Sequence, residues 1–530
     1  METFFRALLT AAVATTVFLS SARADTPADS LVIATQIDDL VSLDPAEIFE
    51  FSGADAANNI YDTLVAFDPR NLGPLVGGIA ESWELGSDGL TYRFTIREGL
   101  RFQSGNPVTA EDAAFSLRRA VRLKQTPSFI LTQFGFTPEN VAERIRASDP
   151  TTLVVQIDKP YAPSFFLTCL TATIGSIVDK ETVLANEQDG DLGHDWLKTH
   201  SAGSGAYGLR AWKPNESYIL AANADYWRGE PAMRRVFVRH IAESATQRLM
   251  LERGDTDIAR NLSPEDITAI AQEPSLKVEE DLKGPILYLA MNQKHPILSQ
   301  PKVVEAIKHL IDYEGMARTF LRGQFVPHQA FLPQTYLGAL EERPFSLDVA
   351  KAKALLAEAG HAEGFPITLS VRSVPERLEI AQSLQNTFGQ AGIALELRSG
   401  TGKQVLTSYR ARKHEILLAT WGPDYPDPHT NADTFAHNPD NSDEAQHTGK
   451  LMWRNAWDDP ALTAMTEAAL LERDSERRAA LYREIQRTQQ HRGPFAVMFQ
   501  QNIQSAMKES VSGFVTGRAI SNSYYWTVTK

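Results

Sequence analysis

A single cysteine in 530 residues leaves no partner for an intramolecular disulfide, so a disulfide-stapled scaffold is excluded. That residue, Cys169, lies in Phe165-Phe166-Leu167-Thr168-Cys169-Leu170 and reads as a small buried apolar side chain rather than a nucleophile. Beyond the N-terminal segment no uncharged apolar run reaches the ~20 residues that a bilayer span needs. Positive charge is also short: 52 Lys+Arg face 66 Asp+Glu, a net charge of −14, which argues against a surface that tracks nucleic-acid phosphates. The chain holds no G-x-S-x-G, no G-x-x-x-x-G-K-[ST], no H-E-x-x-H and no cysteine with a plausible base. Catalysis therefore has no anchor here. What is present, 43% hydrophobic and 22% charged residues, is the composition of a folded protein. At roughly 100 to 200 residues per domain the length predicts several domains.

The N-terminus reads as an export signal. Met1 to Arg6 carries an arginine, Ala7 to Leu19 is a mostly apolar run too short to span a bilayer, and Ala22-Arg23-Ala24 has the A-x-A form of a cleavage site. Cleavage is expected after Ala24, with a periplasmic product. Glu2 is unusual for such a signal, and a buried N-terminal helix is the alternative. Cys169 is far from the cleavage site and cannot anchor a lipid.

Strand-like and helix-like segments alternate, which predicts an α/β architecture. Leu31 to Thr35 and the period-2 run Thr91 to Arg97 read as strands, and Thr109 as the N-cap of an amphipathic helix through Ala113, Phe115, Leu117 and Val121. Leu347 to Gly360 reads as a helix stopped by glycine, and Phe365 to Val371, Ile393 to Arg398 and Glu415 to Thr420 as strands. Ser373-Val374-Pro375-Glu376 has capping-box spacing ahead of a helix running to Gly392. Asn431 to Lys450 is expected to be one long polar loop.

Gly203-Ser-Gly205-Ala-Tyr-Gly208 matches the dinucleotide-binding pattern, but Leu209 to Pro214 reads as a strand into a turn and not the helix that pattern needs, so a glycine turn is the better account. His429, His437 and His447 share a segment with Asp424, Asp427, Asp433 and Asp440, yet their spacing fits no zinc pattern and a solvated loop is expected, with no metal and no cofactor. Trp421-Gly422-Pro423-Asp424-Tyr425-Pro426-Asp427-Pro428 differs in kind. It follows a strand, where open α/β sheets place ligands, and puts an aromatic ring and two carboxylates on a proline-stiffened loop. Such an aspartate either meets an ammonium or caps its own turn.

The chain resembles the solute-binding proteins of dipeptide, oligopeptide and nickel ABC importers, extracellular solute-binding family 5. The resemblance rests on Ser42-Leu-Asp44-Pro45, Asn59-Ile-Tyr61-Asp62, Asp88-Gly89 through Phe102 and Thr109-Ala-Glu-Asp112. Gly203-Ser-Gly-Ala-Tyr207 stands where the family has Gly-Thr-Gly-Pro-Tyr, and Asn223 to Gly229 and Leu355 to Gly360 complete it. It implies a two-lobed periplasmic-binding-protein fold: lobe I over 25–280 and 494–530 with a subdomain inserted at roughly 62–185, lobe II over 281–493, and hinge crossings near Val278 to Asn292 and Pro494 to Asn502. It also implies that Asp424, three residues after Trp421, holds a peptide's α-amino group beside Gly422 and Tyr425, and that Arg372 meets the α-carboxylate.

Two departures bear on specificity: Pro423 replaces a glycine common in dipeptide binders, and Ser373-Val374 stands where an aromatic residue is frequent. Arg372 has a structural alternative, as the ion-pair partner of its own helix region. The function expected is peptide capture, by a monomer, for an inner-membrane permease and its ATPase subunits, with no enzyme activity and no nucleic-acid partner. The alternatives are the same fold holding an opine, sugar, haem or nickel chelate, or a secreted hydrolase using Asp424 and Asp427 as a carboxylate pair.

Overall fold

The computed structural model describes residues 25–68, 75–517 and 523–530. The expected signal segment lies outside them. The frame is an 11-stranded mixed sheet. From one edge it runs Ala394–Gly400, Pro366–Arg372, Ile416–Trp421, Leu276–Met291, Phe495–Lys508, Ile258–Ala259, Ser30–Thr35, Arg235–His240, Ser217–Ala222 and Tyr207–Lys213, with Phe325–Pro327 alongside Phe495–Lys508. Two of these strands, Leu276–Met291 and Phe495–Lys508, are long enough to run from one half of the molecule into the other. They pair antiparallel from Leu276↔Lys508 to Leu282↔Asn502 and again from Ile286↔Gln500 to Ala290↔Phe495, with the register broken between.

In the half that contains Ile416–Trp421, the strands are covered on both faces, and alternate side chains enter different cores. Leu287, Leu289 and Met291 join Ile416, Leu418 and Met498 under helices Pro301–Lys308, Val349–Glu358 and Pro375–Gln390. Ile286, Tyr288 and Ala290 join Leu417, Phe495 and Val497 under helices Pro460–Leu471 and Ser475–Arg492. Burial on both faces is why these segments read as unbroken apolar runs. The other half has its own core around Ile33, Val236, Val238 and Tyr218. A four-stranded sheet, Ala80–Leu85, Thr91–Ile96, Thr152–Gln156 and Ile145–Ala147, builds a further core with helix Ala110–Leu123. These separate cores make a two-lobed α/β protein with an added subdomain.

Local expectations fare differently. Thr109 does cap its helix in a reciprocal box: its hydroxyl accepts from the Asp112 N–H at 3.4 Å, and the Asp112 carboxylate accepts from the Thr109 N–H at 2.9 Å. Ser373 does not cap the next one. Its N–H donates to the Gly400 carbonyl and holds it to the neighbouring strand's end, so Val374 takes the cap and Pro375 the first helical position. Asn431 to Lys450 is not one loop, because Asp427-Pro428 starts the helix Pro428–Phe435 and takes in its first five residues. Cys169 is fully buried at the end of helix Pro163–Cys169, and burial pushes its thiol pKa well up.

Arg119 and Asp44, both buried, join the subdomain helix to the Ser42–Pro45 segment: the carboxylate accepts from the guanidinium at 2.7 and 2.6 Å and contacts His194 Nδ1 at 2.7 Å. The glycines of the false nucleotide motif serve a close approach. The Gly205 N–H donates to the Ile60 carbonyl at 2.9 Å, and a Cβ on Gly203 would lie 2.0 Å from that same oxygen. Gly203→Ala is therefore expected to lower stability by about 1–3 kcal/mol through overpacking, measured by urea unfolding.

Candidate functional site

Strand Ile416–Trp421 is held on one side by Leu276–Met291, its last residue opposite Ile286, and it releases the chain into the loop that carries Asp424. That loop lies against the register break. A Cβ on Gly284 would meet the Pro423 ring at 2.8 Å, and Gly422 faces Pro285. Trp421 is half-buried and oriented, its indole N–H donating to Asn431 Oδ1 at 3.2 Å and its ring edge-on to Phe435. Asn431 is fixed in turn by the Phe331 carbonyl.

The two aspartates of the loop have opposite surroundings. Asp427 caps helix Pro428–Phe435 by accepting from the His429 N–H at 2.8 Å, and takes both arms of the buried Arg478 guanidinium at 2.8 Å. The reading of an aspartate capping its own turn thus belongs to Asp427. Asp424 is part-buried, and its one hydrogen-bonding neighbour among the described residues is Thr430: the hydroxyl accepts from the Asp424 N–H at 3.3 Å and lies 3.5 Å from its carboxylate. Among the described residues no cation pairs with it in an ion pair, and burial raises its pKa to about 6. Tyr425 points away from solvent. It is 4% exposed, packs on Phe165 and brings its hydroxyl to Gln133 Oε1, tying the loop into the subdomain core.

Two of the three histidines of this segment are committed elsewhere. His429 is buried against Phe165 and the Tyr482 hydroxyl, and burial lowers its pKa to about 4. His437 sits between Asp433 at 2.7 Å and Glu467 at 3.2 Å, and Lys450 also reaches Asp433. Among the described residues no group of three or more His, Cys, Asp or Glu side chains is arranged to hold a metal ion, and no helix is long and apolar enough to cross a membrane.

A cleft of about 920 Å³ opens between the two halves of the sheet. Gln501 to Gln504 of the second long strand floor it, Asp38, Asp39, Arg260 and Glu265 line one wall, and Phe325, Arg377 and Thr420 line the other. Thr420 directly precedes Trp421, so the cleft reaches the root of the Asp424 loop. Arg372 ends strand Pro366–Arg372, exposed, and like Trp421, Gly422, Asp424 and Tyr425 is not among the cleft's lining residues. Arg377, five residues on, is. Sequence reading passed over Arg377, although a cation in the first turn of a helix sits against the helix dipole and signals another reason for its place.

Separate cores joined by one sheet, with a charged cleft between them, define the class of two-lobed periplasmic binding proteins. HbpA2 from Haemophilus parasuis has the same fold, with a TM-score of 0.80 over 94% of this chain and 99% of that one, at 22% identity. A probable D,D-dipeptide-binding periplasmic protein, DdpA of Escherichia coli strain K12, is 28% identical over 518 residues, 96% of each chain. Di/tripeptide-binding protein 2 of Pseudomonas aeruginosa is 28% identical over 490 residues, 89% of this chain and 90% of that protein. The middle region of the bacterial extracellular solute-binding proteins, family 5, matches residues 74–443, and the chain belongs to that family.

The Asp427–Arg478 pair gives a direct test of the loop's frame. Arg478→Met strands a buried carboxylate and is expected to cost about 3–5 kcal/mol in a denaturant titration. Asp424 has no such partner among the described residues, so its neutral substitution is not expected to lower stability.

Proposed function

We propose that this chain is the substrate-capturing component of an ABC importer and binds peptides with a free α-amino group, Asp424 accepting the ammonium. One observation carries the reading: a part-buried carboxylate whose charge no cation of the described chain offsets, held at about pKa 6 on a loop rooted in the cleft wall. A buried carboxylate without a partner is costly, and a ligand ammonium would relieve that cost. The relatives named for dipeptides and di/tripeptides support it. Trp421 would form a rigid wall beside the amine, with Gly422 and Tyr425 setting the loop's path. Backbone hydrogen bonds to an extended peptide would supply affinity that is tolerant of side chains.

In this reading the chain is exported, cut after Ala24, and works as a periplasmic monomer with an inner-membrane permease and its ATPase subunits. Lobe I comprises 25–280 and 494–530, with the 62–185 subdomain, and lobe II comprises 281–493. Closure about the two long strands on a ligand that prefers the closed state would signal occupancy to the permease.

Asp424→Asn is expected to weaken peptide binding by about 3–5 kcal/mol, measured by calorimetry on protein refolded free of carried ligand. N-acetylated peptides should lose the same increment in the wild type. Unchanged affinity in either arm removes Asp424 from the site, and a melt raised only by opines, sugars, haem or nickel overturns the peptide reading.

The ligand-free protein should show the converse. A carboxylate with a folded pKa near 6, against 3.8 in the unfolded chain, destabilises the fold fully above the folded value and not at all below the unfolded one. Asp424→Asn should therefore raise ligand-free stability by about 1–3 kcal/mol at neutral pH, the gain vanishing towards about pH 4. Affinity for an amine should rise with pH through about 6 and then level off.

A further inference from the structure

The subdomain touches the half that carries Asp424 at a place the cleft does not include. Tyr425 is buried in the subdomain core, whose other buried members all fall between Ala46 and Ile177, and Leu470 of helix Pro460–Leu471 packs on that core. Phe165, in helix Pro163–Cys169, meets the Tyr425 ring at 5.8 Å and the His429 ring at 5.3 Å between centres. Two hydrogen bonds add to this: the Ala162 N–H donates to the Leu470 carbonyl at 3.2 Å, and Arg478 Nη1 donates to Ser164 Oγ at 3.1 Å. Cys169 lies at the same contact. Its Sγ is 3.6 Å from Gln133 Nε2, and the charges of Asp427, Arg478 and Asp424, all from the opposite side, bear on its thiol. None of these residues lines the cleft. Each face is held by its own side. Arg478 keeps both arms on Asp427 and His429 meets the Tyr482 hydroxyl, while opposite them Gln133 donates to the Ile130 carbonyl at 2.8 Å and its own carbonyl accepts from Tyr161 at 3.1 Å. Faces of this kind persist when parted, and water can take over their polar groups, so the contact is a joint between formed bodies rather than a piece of core.

We propose that this joint is a latch that gates ligand exchange: made, it withdraws the Asp424 loop from water, and it must part before a ligand amine enters or leaves. Tyr425 is the positioning residue, fixing Asp424 through the adjacent peptide bond. The gating rests on Asp424 as the amine's partner, as read above; the opening of the joint does not. Without ligand, making the latch desolvates a carboxylate that no cation among the described residues pairs with, which favours the parted state. An ammonium at Asp424 removes that penalty, so amine and latch strengthen one another. The subdomain thereby gains a task distinct from that of the two long strands. They join the halves through the chain itself, and the subdomain holds them together reversibly beside the binding loop.

Cys169 is the reporter, because a thiol buried at the joint reacts only after the joint parts. Refolded full-length mature protein is treated with dithionitrobenzoate, and the labelling rate is compared with the global unfolding rate extrapolated to zero urea. The ligand-free wild type should label faster than it unfolds. Trialanine at about 100 times its dissociation constant should slow labelling by about 100-fold. Leu470→Ser, at a half-buried position outside the cleft's lining, should speed labelling and peptide release alike, by about 5- to 10-fold, through lost apolar contact. Tyr425→Phe should match the wild type, since it gives up only a hydroxyl contact of 3.5 Å and keeps the ring. Labelling no faster than unfolding in both the wild type and Leu470→Ser overturns the latch. Faster labelling of Leu470→Ser with unchanged peptide release overturns the gating. If trialanine does not bind, the peptide reading fails and the gating with it, while ligand-free labelling still decides whether the joint opens.

Discussion

The molecule depends on one antiparallel pairing, between Leu276–Met291 and Phe495–Lys508, which both halves of the sheet share. Backbone hydrogen bonds keep the two strands together at both ends, while the register break leaves residues 283–285 out of the ladder at the middle. The break is braced rather than loose. The Lys283 carbonyl accepts from the Gln500 side chain at 2.9 Å, and its buried ammonium donates to the Thr516 hydroxyl and the Gly517 carbonyl. Gly284 and Pro285 lie under Pro423 and Gly422, so the break in the ladder touches the loop that carries Asp424.

Charge is divided between frame and cleft. Asp44 with Arg119, Asp55 with Arg260 and Asp427 with Arg478 are opposite charges held in hydrogen-bonding geometry, and each joins segments far apart in the chain. Once buried, such pairs cannot lose one member cheaply, so they determine how the parts dock. Asp424 is the contrast: a part-buried charge near the cleft that no cation among the described residues pairs with. A binding protein needs such a group, because a charge already satisfied inside the fold has little to offer a ligand. The ligand-free protein bears its cost in stability.

Much of the architecture was legible from local pattern. Apolar runs that became doubly covered strands, the Thr109 box and the Val349–Glu358 helix all follow from forces acting within a few residues. Where local reading failed, a distant partner had intervened. The Gly400 carbonyl holds Ser373 as part of the sheet's edge, so a serine with capping-box spacing caps nothing. Asp427 starts a helix through the segment expected to be a loop, braced by Arg478, 51 residues away. Tyr425, read as part of a ligand loop, is drawn into the subdomain core by Phe165 and Gln133.

The sequence by itself determined the class: export-like N-terminus, alternating α/β elements, family motifs and a Trp421–Asp424 loop at a strand end, all set by short-range composition and spacing. Only the tertiary structure separated Asp424, which meets a single hydroxyl, from Asp427, which meets Arg478, and exposed Arg372 from Arg377 in the cleft wall. The physical reason is that a charge's role depends on its desolvation and on its nearest opposite charge. Both are properties of neighbours brought together across the fold, and neither is written in the spacing of residues along the chain.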